Sequence, residues 1–361
     1  MGSMITPQPG IMEIDLYVGG KSAINGRDDV LKLSSNENPL GPPPSAIAAI
    51  TEAATGTHRY PSTDHADLRA AISEVYGLEA DRLICGVGSD EVLQFICQAF
   101  TGPGDEIIHT EHGFSMYPIL AHMAGATPIE VHEKDRVVDV DAILAAVTDR
   151  TRVVMLTNPG NPTGTIIPNS EMERLADGLP KGVILVLDCA YIEYAEGHDG
   201  GEALARERDN VIMTRTFSKL YGLGGLRIGF GYGPKTLIDV MTRIRQPFNL
   251  SVVQLAAAEA AARDLDWAKT CLEMNAAERA RLIGGLRQQG IACDDSHTNF
   301  VLARFADEAE AVAMEEAFQA AGILVRKVKG YGFPEGLRIT VGRPEDNDRV
   351  LDAVAKFRTA S

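Results

Sequence analysis

Lys219 lies in the run Thr216-Phe217-Ser218-Lys219-Leu220-Tyr221-Gly222, a stretch otherwise poor in charge, and Arg227 follows behind Gly224-Gly225-Leu226. Upstream, Asp188 ends the apolar run Val183-Ile184-Leu185-Val186-Leu187. The loop Asn158-Pro159-Gly160-Asn161-Pro162-Thr163-Gly164 follows another apolar run, Val153-Val154-Met155-Leu156. A lysine among Phe217, Leu220, Leu223 and Leu226 is a candidate for burial, and burial lowers an amine's pKa toward its nucleophilic form. Such an amine can form a Schiff base with an aldehyde. A carboxylate beside an apolar strand needs a cationic partner, which a protonated pyridine nitrogen would supply. Arg227, eight residues after the lysine, can pair with a phosphate that Ser218 also faces. Aldehyde, pyridine and phosphate in one ligand describe pyridoxal 5'-phosphate, so this order of residues reads as a site for that cofactor.

Each residue also has a plainer reading. Most lysines are solvated surface groups, Asp188 can cap the turn that follows it, and the double Asn-Pro loop needs no function as a turn. Tyr191 is either a donor to the cofactor's ring oxygen or a half-buried aromatic. Two Asn-Pro pairs directly after a strand favour a role for Asn161 as a hydrogen-bond donor to that same oxygen. Gly86-Val87-Gly88-Ser89-Asp90-Glu91 follows a strand candidate and opens an apolar helix, so Gly88, Ser89 and Asp90 can bring backbone N–H groups and a helix dipole to an anion. Alone, Ser89 reads as a helix cap. Glu91 stands where a dinucleotide fingerprint needs its third glycine, and no Gly-Lys-Ser/Thr element exists, which counts against NAD and ATP.

Composition narrows the function classes further. The chain has 361 residues, 45% apolar and 23% charged, with a formal charge of −16. That length suggests two domains, and the negative charge without a basic run argues against nucleic acid. Cys85, Cys97, Cys189, Cys271 and Cys293 are scattered and odd in number, so neither a disulfide framework nor a zinc knuckle is expected, and the compartment reads as the reducing cytoplasm. No apolar run reaches membrane-span length, no signal-peptide pattern opens the chain, and Gly2-Ser3 before Met4 reads as a cloning remnant. His109 and His112 have no third ligand placed beside them, so no metal site is expected.

The elements that must position these residues follow an α/β rhythm. Strands are expected at Leu83 to Cys85, Glu106 to His109, Thr127 to Val131, Val153 to Thr157, Val183 to Asp188, Val211 to Thr214 and Leu226 to Gly231, alternating with helices. This predicts a seven-stranded, mostly parallel sheet flanked by helices. Such sheets bind ligands at the C-terminal ends of their strands, where Asp188 falls. Long helical stretches, Val252 to Arg263 and Leu265 to Gln289, lead to a smaller α+β domain. Its expected elements are strand Asn299 to Phe305, helix Asp307 to Ala321, strands Ile323 to Val328 and Leu337 to Val341, and a last helix from Glu345. The divisions are an N-terminal arm at 1–44, a large domain at 45–255 and a small domain at 256–361. The turn-rich segment Asn36 to Pro44 reads as too irregular to be core.

Taken together, these residues resemble the fold-type I pyridoxal phosphate aminotransferases. The resemblance runs from about Asp15 to Lys356 and rests on Ser35-Asn36-Glu37-Asn38-Pro39-Leu40-Gly41-Pro42, Arg59-Tyr60-Pro61, Gly88 to Glu91, Asn158 to Gly164, Asp188 with Tyr191-Ile192-Glu193, Thr216 to Lys219, Gly225-Leu226-Arg227, Asn299 to Arg304 and Leu337 to Gly342. It implies that Phe114 stacks on the pyridine ring and that Tyr60 reaches the cofactor phosphate of the neighbouring subunit, so the active unit is a homodimer. It also implies a ping-pong transfer of an amino group between L-histidinol phosphate and 2-oxoglutarate, a step of histidine biosynthesis. Arg338 would clamp the substrate's anion, with Arg326 and Tyr17 near the phosphate end. Cys189, where the family has Glu, and Leu220, where a small residue is usual, depart from its pattern and bear on packing behind the cofactor. An aromatic amino acid aminotransferase of the same fold, a decarboxylase or lyase of a phosphorylated amino acid, and a non-catalytic cofactor-binding protein are the competing readings.

Overall fold

A computed structural model describes residues 6–16, 19–24 and 26–360, for Ala360 the backbone alone. In chain order the elements are β1 (Leu31–Lys32), α1 (Pro44–Ala54), α2 (Ala66–Tyr76), β2 (Leu83–Gly86), α3 (Gly88–Phe100), β3 (Glu106–Thr110), α4 (Met116–Ala124), β4 (Thr127–Val131), α5 (Val140–Ala146), β5 (Thr151–Thr157), α6 (Asn169–Gly178), β6 (Ile184–Asp188), α7 (Glu202–Glu207), β7 (Val211–Thr216) and β8 (Gly229–Tyr232). There follow α8 (Lys235–Ile244), α9 (Val252–Arg263), α10 (Leu265–Gln288), β9 (Ala292–Cys293), β10 (Phe300–Arg304), α11 (Glu308–Ala320), β11 (Ile323–Leu324), β12 (Arg326–Val328), β13 (Phe333–Thr340) and α12 (Pro344–Ala360). Among the described residues no helix is long and apolar enough to cross a membrane.

Strands β2 to β8 form the expected seven-stranded sheet, in the order β2-β8-β7-β6-β5-β3-β4. Neighbours from β4 to β7 run parallel, while β8 is antiparallel to both β7 and β2. Burial on both faces explains the continuous apolar run of β6: Ile184 and Val186 enter one core layer, Leu185 and Leu187 the other. Register then aligns Thr157 of β5 with Asp188 of β6, and Asp188 with Thr214 of β7, along the C-terminal edge of the sheet. The last expected strand of this sheet begins later than its pattern suggests. Gly224–Leu226 is a 3-10 turn and Arg227 adopts φ 54, which no extended strand can accommodate.

The C-terminal layer differs from expectation in how its strands pair. The single strand expected at Ile323 to Val328 is two. β11 pairs in parallel with β1 of the arm, while β12 joins β13, β10 and β9 in a four-stranded sheet. Ile323 to Val328 contains no turn former, so only long-range pairing distinguishes the two halves. The segment from Asn36 onward is also less peripheral than its turn residues suggest. Asn36 is buried, its backbone N–H donating to Thr340 Oγ1 at 2.9 Å and its carbonyl accepting from Asn299 Nδ2 at 2.9 Å. These bonds satisfy the polar groups that burial would otherwise penalise.

The expected division at residue 255 falls inside α9. Ala257, Ala258, Ala261 and Ala262 lie in the large core with Leu68 and Ala71 of α2, whereas Leu282, Ile283 and Leu286 of α10 lie in the core of the small layer. We propose that the domains divide within α10.

Candidate active site

The loops that leave the C-terminal edge of the large sheet open into a cavity of about 360 Å³, closed on its other side by the arm and by β12 and β13. Asp188 ends β6 at its floor, 3% exposed. Tyr117 of α4 donates to Asp188 Oδ2 at 3.0 Å, and Thr214 donates to Oδ1 at 3.3 Å. Burial pushes this carboxyl up to about 6, opposed by the Tyr117 hydroxyl. An acid buried this deeply with only neutral donors in contact fits a cationic group placed opposite.

Lys219 follows the end of β7, and its amine donates to the Ser35 carbonyl at 3.3 Å. The same nitrogen stands 5.6 Å from the centre of the Tyr191 ring. Burial and the guanidinium of Arg338 bring its pKa down to about 8, so a substantial fraction is neutral near physiological pH. Tyr191, on the turn after β6, accepts a hydrogen bond from Asn36 Nδ2 at 2.9 Å. Burial pushes its hydroxyl above the ordinary range.

One end of the cavity is built for an anion. α3 starts at Gly88, whose φ of 76 suits glycine and whose missing Cβ leaves room for Arg227, since a Cβ there would come within 2.7 Å of Nη2. Ser89 and Asp90 occupy the first turn of α3, where unpaired N–H groups concentrate. Arg227 Nη1 donates to Ser218 Oγ at 3.0 Å, and Nη2 pairs with Asp90 Oδ2 at 2.6 Å. Gln254 holds the left-handed turn that aims this arginine, donating to the Leu226 and Arg227 carbonyls at 2.7 and 3.1 Å. The combination of cradle, serines and guanidinium fits a phosphate, and with the Lys219 amine and the Asp188 acid it fits pyridoxal phosphate as a whole.

At the other end, Arg338 of β13 is 7% exposed. Its Nη1 donates to Asn161 Oδ1 at 2.6 Å and its Nη2 to the Ser34 carbonyl at 3.1 Å, while the guanidinium lies 5.3 Å from the Phe300 ring centre. Asn161 sits in a loop whose Asn158-Pro159 and Asn161-Pro162 peptides are both cis. Arg326 and Phe114 also line the cavity, Phe114 packing edge-on against Tyr117 with centroids 5.9 Å apart.

Thus Ser89, Asp90, Phe114, Asn161, Asp188, Tyr191, Ser218, Lys219, Arg227, Arg326 and Arg338 converge on one cavity, with Gly88 just behind its wall. Tyr60 does not join them. It is exposed and stacks on Phe248 at 4.5 Å, which leaves a partner's cavity as the place the resemblance assigns to it. Tyr17 lies outside the described residues. Of the two departures from the family pattern, Cys189 is buried and its thiol donates to the Gly200 carbonyl at 2.9 Å, and Leu220 is buried in the core. Sequence reasoning missed Tyr117, Thr157, Thr214, Ser35 and Asn36. Strand register could have found Thr157 and Thr214, since both are level with Asp188.

Comparison with known proteins extends this geometry to the full chain. The family described as aminotransferase class I and II matches residues 28–354. A histidinol-phosphate aminotransferase of Jannaschia sp. (strain CCS1) is 62% identical over 360 residues, covering all of both chains. One from Ruegeria pomeroyi is 64% identical over 358 residues, 99% of each. Among solved structures, a histidinol-phosphate aminotransferase from Sinorhizobium meliloti in complex with pyridoxal-5'-phosphate superposes with a TM-score of 0.90 at 29% identity, covering 100% of this chain and 99% of that one. On both its site and its full-length likeness, the chain belongs to the class I and II aminotransferases.

Proposed function

We propose that this protein is a pyridoxal phosphate-dependent transaminase that moves an amino group between L-histidinol phosphate and 2-oxoglutarate, giving imidazole acetol phosphate and glutamate in the cytoplasm. The observation that carries the substrate reading is full-length identity of 62% to a protein of that activity, in a chain whose cavity has an arginine at each end. When bound, the cofactor supplies an electron sink for charge developing at the donor's α-carbon.

The residues around it divide the remaining work. Lys219 would hold the cofactor and, as a free amine, would carry a proton at the donor's α-carbon; an amine with a pKa near 8 can serve as both base and acid there. Asp188 keeps a proton on the pyridine nitrogen. Tyr117 and Thr214 fix the carboxylate, so little reorganisation is needed as charge develops. Gly88, Ser89, Asp90, Ser218 and Arg227 would hold the phosphate, Asn161 and Tyr191 would bind the ring oxygen, and Phe114 would pack on the ring. Arg338 clamps the phosphate of one substrate and the carboxylate of the other, with Arg326 lining the same cavity. The working unit in this reading is a homodimer in which Tyr60 completes the partner's phosphate site.

Steady-state kinetics test the proposal. Histidinol phosphate should exceed phenylalanine and tyrosine in kcat/KM by at least about tenfold with 2-oxoglutarate as acceptor. Dominance of the aromatic donors would reassign the protein to aromatic amino acid transamination, and carbon dioxide release without keto product would make it a lyase.

A further inference from the structure

Two cavities meet at a pair of shared residues. The reaction cavity of about 360 Å³ and a second one of about 410 Å³, walled on its far side by residues 13–16, share Arg326 and Tyr331. Across the divide, Phe114 lines the first space and its neighbour Ser115 the second. The seam is closed by a hydrogen bond between Ser115 Oγ and the Tyr331 hydroxyl, 3.1 Å long.

Tyr331 is held at its backbone as well as at its tip. Its carbonyl accepts from His112 Nδ1 at 2.7 Å, and that imidazole packs on Phe333 with ring centroids 4.1 Å apart. Gly332 turns the chain with φ 85, and a Cβ there would come within 3.0 Å of His112. The residue is 6% exposed. Bonded at its tip and at its carbonyl and packed with Leu302, Val328 and Phe333, the ring acts as a wall rather than a flap, because swinging it aside breaks the Ser115 bond and gives up those contacts.

We propose that Tyr331 is the residue that limits the size of the donor's side chain. Its ring is the partition that keeps a group larger than imidazole from extending out of the reaction cavity into the second space. The inference rests on the transaminase reading above and names the element that separates histidinol phosphate from bulkier amino donors.

Donor panels on the purified, cofactor-loaded enzyme test it, with histidinol phosphate, phenylalanine and tryptophan as donors. Tyr331→Ala merges the two spaces and should raise kcat/KM for tryptophan relative to histidinol phosphate by about tenfold or more. Tyr331→Phe loses the bond to Ser115 but keeps the ring, and should hold the wild-type ratio within about threefold, the effect of one neutral hydrogen bond. An unchanged ratio in Tyr331→Ala, or an equal shift in Tyr331→Phe, overturns the proposal. Should the alanine variant fail to retain the cofactor absorbance, Tyr331→Leu reads the same ratio. Inactivity of the wild type toward histidinol phosphate would sink the substrate reading instead, while the tryptophan to phenylalanine ratio across the variants still decides the partition.

Discussion

Tyr117 donates its hydroxyl to Asp188 Oδ2 at 3.0 Å and meets Thr157 Oγ1 at 2.5 Å, so a tyrosine from α4 holds the acid at the end of β6. The ring is fully buried and fills the layer between α4 and the sheet. Tyr117→Phe keeps that packing and deletes one donor to a carboxylate. Bonds of this kind are worth about 1.5 to 3 kcal/mol, so kcat/KM should fall about ten- to hundredfold with the fold intact. Unaltered kinetics would mean that Asp188 needs no support from Tyr117.

Asp188 makes the cofactor-free protein sensitive to pH in a definite direction. Its folded pKa, about 6, stands above the ordinary 3.8. Below about pH 4 the carboxyl is protonated whether the chain is folded or not. Between about 4 and 6 the unfolded chain releases a proton that the folded chain retains, so stability falls as pH rises through this window and stays lowered above it. The loss is on the order of 2 to 3 kcal/mol. Asp188→Asn removes it, because the amide can still accept from Tyr117. Without cofactor, the variant should melt higher than wild type at pH 7.5 and level with it at pH 4. With cofactor present it should lose most activity, since a neutral amide does not hold a proton on the pyridine nitrogen. Equal melting at both pH values would show that the wild-type acid is not ionised against its surroundings.

Much of this arrangement was legible in the residue order, because each part carries a local signal. The apolar run ending in Asp188, the double Asn-Pro loop and the lysine in a charge-poor turn mark strand ends, and all seven strand candidates enter the large sheet. What escaped depends on contacts distant in the chain. Tyr117 reads as one more aromatic in an apolar helix until α4 is laid over β6. Asn36 looks like a loop residue until Thr340 and Asn299, 304 and 263 positions away in the chain, satisfy its buried backbone, and Ser35 until its carbonyl accepts from Lys219. Asn161 was expected only at the cofactor's ring, yet it also holds Arg338, a pairing invisible without the small layer docked on the large.

The lowered pKa of Lys219 predicts how the cofactor attaches. Only the neutral amine reacts with an aldehyde, so the attachment rate of pyridoxal phosphate to the cofactor-free protein should rise with pH and level off above about 8, rather than above 10 as for an exposed lysine. Stopped-flow absorbance would give the midpoint. Lys219→Ala should abolish both the near-visible absorbance of the attached cofactor and turnover by at least about a thousandfold, leaving circular dichroism unchanged. A midpoint near 10, or an alanine variant that still turns over, would place the chemistry on another group.

Arg338 offers the sharpest separation of binding from chemistry. Its two terminal nitrogens are fixed by Asn161 and Ser34, and its plane lies over Phe300, so the fork faces the cavity in one orientation. A lysine at this position keeps the charge but neither the fork nor the stacking. Arg338→Lys should therefore raise KM for both histidinol phosphate and 2-oxoglutarate by about ten- to hundredfold, with a smaller change in kcat, the signature of lost binding common to ground and transition states. Histidinol without its phosphate supplies the control. Because the donor then has no anion to clamp, its half-reaction should be nearly indifferent to the substitution. A variant that loses histidinol and histidinol phosphate equally would show that Arg338 acts on the shape of the cavity through Asn161 and not on the substrate's charge.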